Sequence, residues 1–182
     1  MQRSICLLVA ILIPGIPAAW PQTKSSDSSK KPADGFYAVQ RESLKEKDVL
    51  PLKGGEVLLV HRQRYLKKDE EGLPRFLVVG SAPDIEFDLA STPKGVKDGE
   101  DVVRIFVKLQ PKAATALERL TRDHLGREIA IVLGGEVVTA HKIWEVIKGG
   151  EAQITSCAPG PANYLLEQLR AHQKKSQRSG AQ

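Results

Sequence analysis

The sequence predicts an α+β fold in which a mostly antiparallel sheet carries two helices, and three observations predict it. Val103, Ile105, Val107 and Leu109 alternate with Arg104, Phe106 and Lys108, the period of a strand with one buried face. Ala113, Leu117 and Leu120 recur at spacings of four and three, the period of a helix with one apolar stripe. Residues 129–133 are apolar without a break and run into Gly134-Gly135, as in a strand covered on both faces that enters a tight hairpin turn. The C-terminal half therefore reads strand, helix, hairpin, strand, helix, preceded by a β-rich N-terminal segment.

Residues 1–18 are set apart as a signal peptide. The apolar run 5–13 is too short to span a bilayer as a helix, Pro14 and Gly15 break it, and Ile16 and Ala18 form a cleavable end. Cleavage is expected near Ala18, with a retained anchor as the alternative; Cys6 lies inside the run, which disfavours a lipoprotein. Nothing in the mature chain is apolar for long enough to cross a membrane as a helix. Residues 19–34, with Lys24-Ser25-Ser26-Asp27-Ser28-Ser29-Lys30-Lys31, have too few apolar groups to offset their ordering entropy and read as a disordered linker.

Residues 35–101 form the β-rich N-terminal part. Strands are expected at 35–40, at 56–65 after the Lys53-Gly54-Gly55 turn, at 75–80, and at 84–89, where Ile85, Phe87 and Leu89 share a face. Residues 67–72 and 91–101 read as charged loops. Within 102–169, Pro111 opens a helix, since a first turn has no use for its missing N–H, and Gly126 closes it. After the hairpin, 141–150 is a polar excursion ending in Gly149-Gly150, then 152–155 is a strand. Pro161 starts a last helix with Ala162, Leu165, Leu166 and Leu169 on its buried stripe. Residues 170–182 read as a disordered basic tail.

The formal net charge is +5, but Arg170, Lys174, Lys175 and Arg178 of the tail carry most of it, and the body from 35 to 169 is slightly acidic. Basicity confined to an end argues against a nucleic-acid domain. With Cys157 as the one cysteine of the mature chain, an intramolecular disulfide is excluded and the fold must rest on its core. No zinc-spaced cysteine pair, H-E-x-x-H, G-x-S-x-G or phosphate loop occurs, and Gly134-Gly135 opens no helix that could hold an anion. Neither a cofactor, a metal nor a small-molecule substrate is expected. A thiol enzyme would need Cys157 accessible with His141 as its base. His61 reads as a strand residue, His124 as a helix C-terminal residue and His172 as part of the tail. Asp69-Glu70-Glu71 and Glu100-Asp101 read as solvated carboxylates. Trp144 is expected in the core; an exposed Trp144 would instead be a natural anchor for a peptide.

Leu120-Thr121, Ala130-Ile131-Val132-Leu133 before the glycine turn, Val137, Ile147-x-Gly149-Gly150 and Ala152-Gln153-Ile154-Thr155 follow one another in a spacing that resembles the head subdomain of the first periplasmic domain of SecD and SecDF protein-export membrane proteins. The resemblance covers about 102–169. It departs at His141, where the family usually has proline, and at Ser156, where it usually has glycine. The proton-linked carboxylates of that family lie in membrane segments with no counterpart here. The resemblance implies a non-enzymatic module of the bacterial envelope, periplasmic or extracellular, that binds a protein or unfolded polypeptide, with Sec translocon components among the implied partners. The contact is expected in the 141–150 excursion, at His141, Lys142 and Trp144. The alternatives are a structural spacer attached through its basic tail and, furthest from the residues, the Cys157 enzyme.

Overall fold

The computed structural model describes residues 31–62 and 72–179; the expected signal peptide (1–18), most of the expected linker (19–34), the end of the expected 56–65 strand, most of the expected 67–72 loop and the last three residues lie outside the described residues. Among the described residues ten strands and two α-helices follow in the order β1 (Gly35–Ala38), β2 (Arg41–Ser43), β3 (Glu56–His61), β4 (Arg75–Gly80), β5 (Ile85–Glu86), β6 (Lys94–Lys97), β7 (Val103–Lys108), α1 (Pro111–Asp123), β8 (Glu128–Leu133), β9 (Glu136–Lys142), β10 (Glu151–Cys157) and α2 (Pro159–Ser179), with one 3-10 turn at Glu46–Asp48 between β2 and β3. All strand pairing is antiparallel, and it divides into three sheets ordered β5-β1-β8-β9, β2-β4-β3 and β10-β7-β6. The fold is α+β as expected, although three small sheets stand where one was anticipated.

The apolar run of β8 explains how these sheets stack. Successive strand residues point to opposite faces, so Ile129, Ile131 and Leu133 enter one core while Ala130 and Val132 enter another. β1 beside it divides likewise, with Phe36 on the first side and Tyr37 and Val39 on the second. The second core is closed by Leu59 of β3 with Leu77 and Val79 of β4. The larger core is closed by Val103, Ile105 and Val107 of β7, Ala152 and Ile154 of β10, and the stripes of both helices. Gly134 and Gly135 turn the β8–β9 hairpin at φ 64° and 80°, a left-handed conformation that favours glycine.

Several boundaries differ from the sequence reading. The 91–101 segment, expected as loop, contains β6, whose short Lys-Gly-Val-Lys run has no apolar alternation to announce it. β2 is a further unannounced strand, and the expected 84–89 strand shrinks to β5 plus a lone bridge between Leu89 and Leu109. α2 begins two residues before Pro161 and continues to Ser179, so the described part of the basic tail is helical. The end of the linker is bound as well: the Tyr37 hydroxyl donates to the Ala33 carbonyl, and the Gly135 N–H donates to Asp34.

His172 gives the longer helix its reason. Its Nε2 lies 3.0 Å from the Phe87 carbonyl, its Nδ1 lies 3.4 Å from Asp34 Oδ2, and its ring meets Phe87 edge-on. A ring with an acceptor at each nitrogen favours the doubly protonated form. The Asp34 bond is the leading cause that raises the His172 pKa above its usual value. Burial works against the Asp34 carboxylate, but the His172 bond and the Gly135 and Gly134 N–H groups outweigh it and leave its pKa lowered. A histidine raised on folding stabilises fully below its unfolded value of 6.5, and that stabilisation is lost as pH rises through the higher folded value. Wild type should therefore exceed His172→Gln in urea midpoint at mildly acidic pH, with the gap narrowing steadily on the alkaline side; a gap independent of pH would contradict the latch.

Candidate protein-contact surface

The segment 143–150 leaves β9 and returns to β10 across α1, and three contacts fix its course. Ile143 is buried and continues the hairpin ladder, its N–H donating to Arg127 and its carbonyl accepting from Gly126. The buried Thr121 hydroxyl donates to the Leu117 carbonyl at 2.8 Å and accepts the Ile147 N–H at 3.1 Å. Gly150 lies so close to α1 that a Cβ there would fall 2.4 Å from that of Ala114. The Leu120-Thr121 and Ile147-x-Gly149-Gly150 motifs thus meet in space, one holding the other.

Trp144 projects from this clamped segment and is 79% exposed, which corrects the expectation of a core residue. Its neighbour Ile143 takes the inward position, and alternation sends Trp144 out. The Lys142 ammonium sits 4.6 Å over the indole ring, a cation–π contact that orients it. Lys142 also lines a groove of about 420 Å³ together with Val39, Gln40, Arg41, Glu42, Gly126, Arg127 and Glu128. Leu125, half exposed, precedes the Gly126 that bonds Ile143, so two large apolar side chains flank this ladder end.

Charge in the groove is partly committed. Arg75 reaches both Glu128, at 2.6 Å, and Glu42, so the two acids of the lining serve one guanidinium. Neither Arg127 nor Lys142 has a carboxylate at salt-bridge distance among the described residues. An exposed indole capped by Lys142, next to a groove lined by Arg127 and Lys142, suits a chain segment that offers apolar and carboxylate groups.

His141, the third expected contact residue, is solvent-exposed and its Nε2 lies 2.7 Å from the Thr139 hydroxyl. Crowding around the ring still pushes its pKa below the usual histidine value. Burial does the same to His61, helped by His141, and the His61 Nδ1 has no hydrogen-bond partner among the described residues. In both rings the shift favours the neutral form.

Cys157 does not meet the requirement of the thiol-enzyme alternative. It is 1% exposed in the larger core, and burial pushes its thiol up to about 11. A nucleophile must be a thiolate within reach of reactant and base, whereas the His141 ring bonds Thr139 instead. Among the described residues no group of three or more His, Cys, Asp or Glu is placed to hold a metal ion, and no helix is long and apolar enough to cross a membrane.

Residues 80–173 match the SecDF P1 head subdomain, a stretch that begins at the end of β4 and so includes β5 and β6 as well as the region recognised from its motifs. The chain is 38% identical over 80 residues to protein translocase subunit SecD of Acidaminococcus fermentans, an alignment covering 40% of this chain and 19% of that protein. It is also similar to a solved chain of SecDF, a membrane component that enhances protein export, with 24% identity and a TM-score of 0.48 over 77% of this chain and 63% of that one. Against SecDF in its super-membrane-facing form the values are 22% and 0.47, over 74% of this chain and 18% of the other.

The clamp can be tested without the ligand. Gly149 and Gly150 share a left-handed backbone, but a Cβ on Gly149 meets open space. Gly149→Ala should cost about 1–2 kcal/mol from backbone strain alone. Gly150→Ala should cost roughly 1–3 kcal/mol more, because Ala114 and the α1 backbone must move. Equal losses in chemical denaturation would show that the segment is not pressed against α1.

Proposed function

This chain belongs to the family of SecDF P1 head subdomains, and we propose that it is an exported, non-catalytic module of the bacterial envelope that engages a protein partner or an extended polypeptide during protein export. The observation that carries the reading is the exposure of Trp144 on a clamped segment. An exposed indole gains little from water, and an aromatic oriented in advance by Lys142 loses little side-chain entropy when a partner covers it. Lys142 and Arg127 beside it would steer acidic stretches towards the groove. Segment 141–150 is thus the contact, with Trp144 its anchor and His141 and Lys142 its flanks.

The export assignment draws on the leader-like run of residues 1–18 and on the names of the relatives, which describe translocase components. This chain spans about a fifth of the length of the SecD it matches. A spacer role through α2 is the second reading. It is supported by the exposed Arg170, Lys174 and Lys175 on the described end of that helix, which could meet an acidic envelope surface.

The test replaces Trp144 with a photo-reactive residue in the full chain and irradiates it in the native envelope. Crosslinks to translocon components or to many secreted chains are expected, at yields well above those from the half-exposed Tyr164 position. Trp144→Ala should leave stability within about 0.5 kcal/mol of wild type, as for other surface substitutions, while reducing capture of the same partners. Equal and low yields at both positions would sink the proposal.

A further inference from the structure

We propose that β6 is a strand-addition site for an extended polypeptide segment bearing an apolar side chain between acidic residues. The inference rests on the polypeptide-binding reading above and gives it a second surface, which shares no residue with the Trp144 segment.

β6 is an edge of the β10-β7-β6 sheet, and among the edge strands it alone is exposed at every residue. Alternate residues of an edge strand leave their N–H and C=O groups unpaired, ready to accept another strand. The strand is held rigidly from behind: a Cβ on Gly95 would come within 2.9 Å of Leu166 and 3.1 Å of Val103, so only glycine lets α2 press this close. With Gly95 facing α2, Lys94 and Val96 face the other way. There the register sets Lys94 beside Phe106 and Val96 beside Arg104.

On that outer face lies a groove of about 310 Å³, whose walls include Thr92, Lys94, Val96, Phe106, Lys108 and Glu151. Val96 is 49% exposed there. Main-chain bonds along an edge give affinity without selectivity, and a pocket for an alternate side chain supplies the selectivity. The groove is ample for one apolar side chain of an added strand.

Charge decides the kind of occupant. Arg104 is paired with Asp98 and Lys108 with Glu151, while Lys94 and Lys97 have no carboxylate partner among the described residues. Lys94 lies on the outer face with Val96 and Lys97 on the face of Gly95, so each ammonium stands at the open edge on its own side of the sheet. An incoming segment with acidic residues opposite Lys94 and Lys97 gains two opposite-charge pairs across the edge. The two lysines thus favour an acidic segment as the occupant.

The experiment uses the full chain and a fluorescein-labelled peptide that alternates valine and threonine between two aspartates. Polarisation should show saturable binding, and hydrogen exchange should slow at the β6 amides. Val96→Asp should weaken binding on the order of tenfold by placing a charge in the apolar groove. Lys94→Glu with Lys97→Glu should weaken it roughly five- to tenfold, and a peptide with lysines in place of the aspartates should recover binding to this variant, a reversal that misfolding cannot produce. Three outcomes overturn the proposal: binding without protection at β6, binding that Trp144→Ala abolishes and Val96→Asp does not touch, or a concentration-dependent dimer that Val96→Asp dissolves. If the peptide fails to bind while position 144 still crosslinks to polypeptide, the β6 site falls and the wider function survives. Failure of both removes both.

Discussion

β8 carries the constraint on which the rest of the structure depends, because it is buried on both faces. Five apolar residues in sequence must each find a partner layer, and neither layer closes a core without the other side of this strand. Ala130 is the telling residue. A larger side chain there would push the β2-β4-β3 sheet away, while Ile129 and Ile131 on the opposite face fill the space beneath the helices. The first half of the chain is therefore not an appendage: β1 pairs with β8, and Tyr37 and Val39 reach across to Leu77 and Val79. Burial of these side chains, each contributing roughly 1.5–3 kcal/mol before entropy is counted, supplies the cohesion that a chain with one cysteine in its folded part cannot draw from disulfides.

The same strand positions the surface that carries function. The β8–β9 ladder continues past its last sheet residues through Arg127 and Ile143, so the segment bearing Trp144 leaves the core at a fixed angle. α1 then receives that segment through Thr121 and Ala114, which are small or polar where a larger apolar residue would push it off. Polar satisfaction and close packing act together here. Thr121 uses its hydroxyl both to satisfy its own helix and to hold Ile147, and Gly150 supplies the left-handed backbone and the absent Cβ in one residue.

Much of this was legible in the sequence wherever a period of two or of nearly four was unbroken. β7, α1 and the β8–β9 hairpin have such patterns, and the glycine turn that joins the hairpin needs positive φ at both residues. β6 was not legible, because Val96 is the one β-former in an edge strand of Lys94, Gly95 and Lys97 without apolar alternation, and its place is set by tertiary contact with Leu166. The end of α2 was hidden for a related reason. Past Leu169 it carries no apolar stripe, and His172 with Asp34 does what apolar burial does elsewhere. A histidine with an acidic residue more than a hundred positions earlier offers no sequence signal. Trp144 was misplaced because hydrophobicity predicts burial on average, whereas alternation from the buried Ile143 would have turned it outwards.

The central claim is that two cores sharing β8 make one cooperative unit that presents its contact surfaces rigidly. Native-state hydrogen exchange on wild type and Leu77→Ala tests it most directly, since this substitution hollows the smaller core at a cost of about 2–5 kcal/mol. The account predicts that amides of Ile105, Leu117 and Ile131, in or beside the larger core, lose the same free energy of protection as Val78 beside the lesion. If the β2-β4-β3 sheet opened alone while Ile105 and Leu117 kept their wild-type protection, the cores would be independent and the account would be wrong.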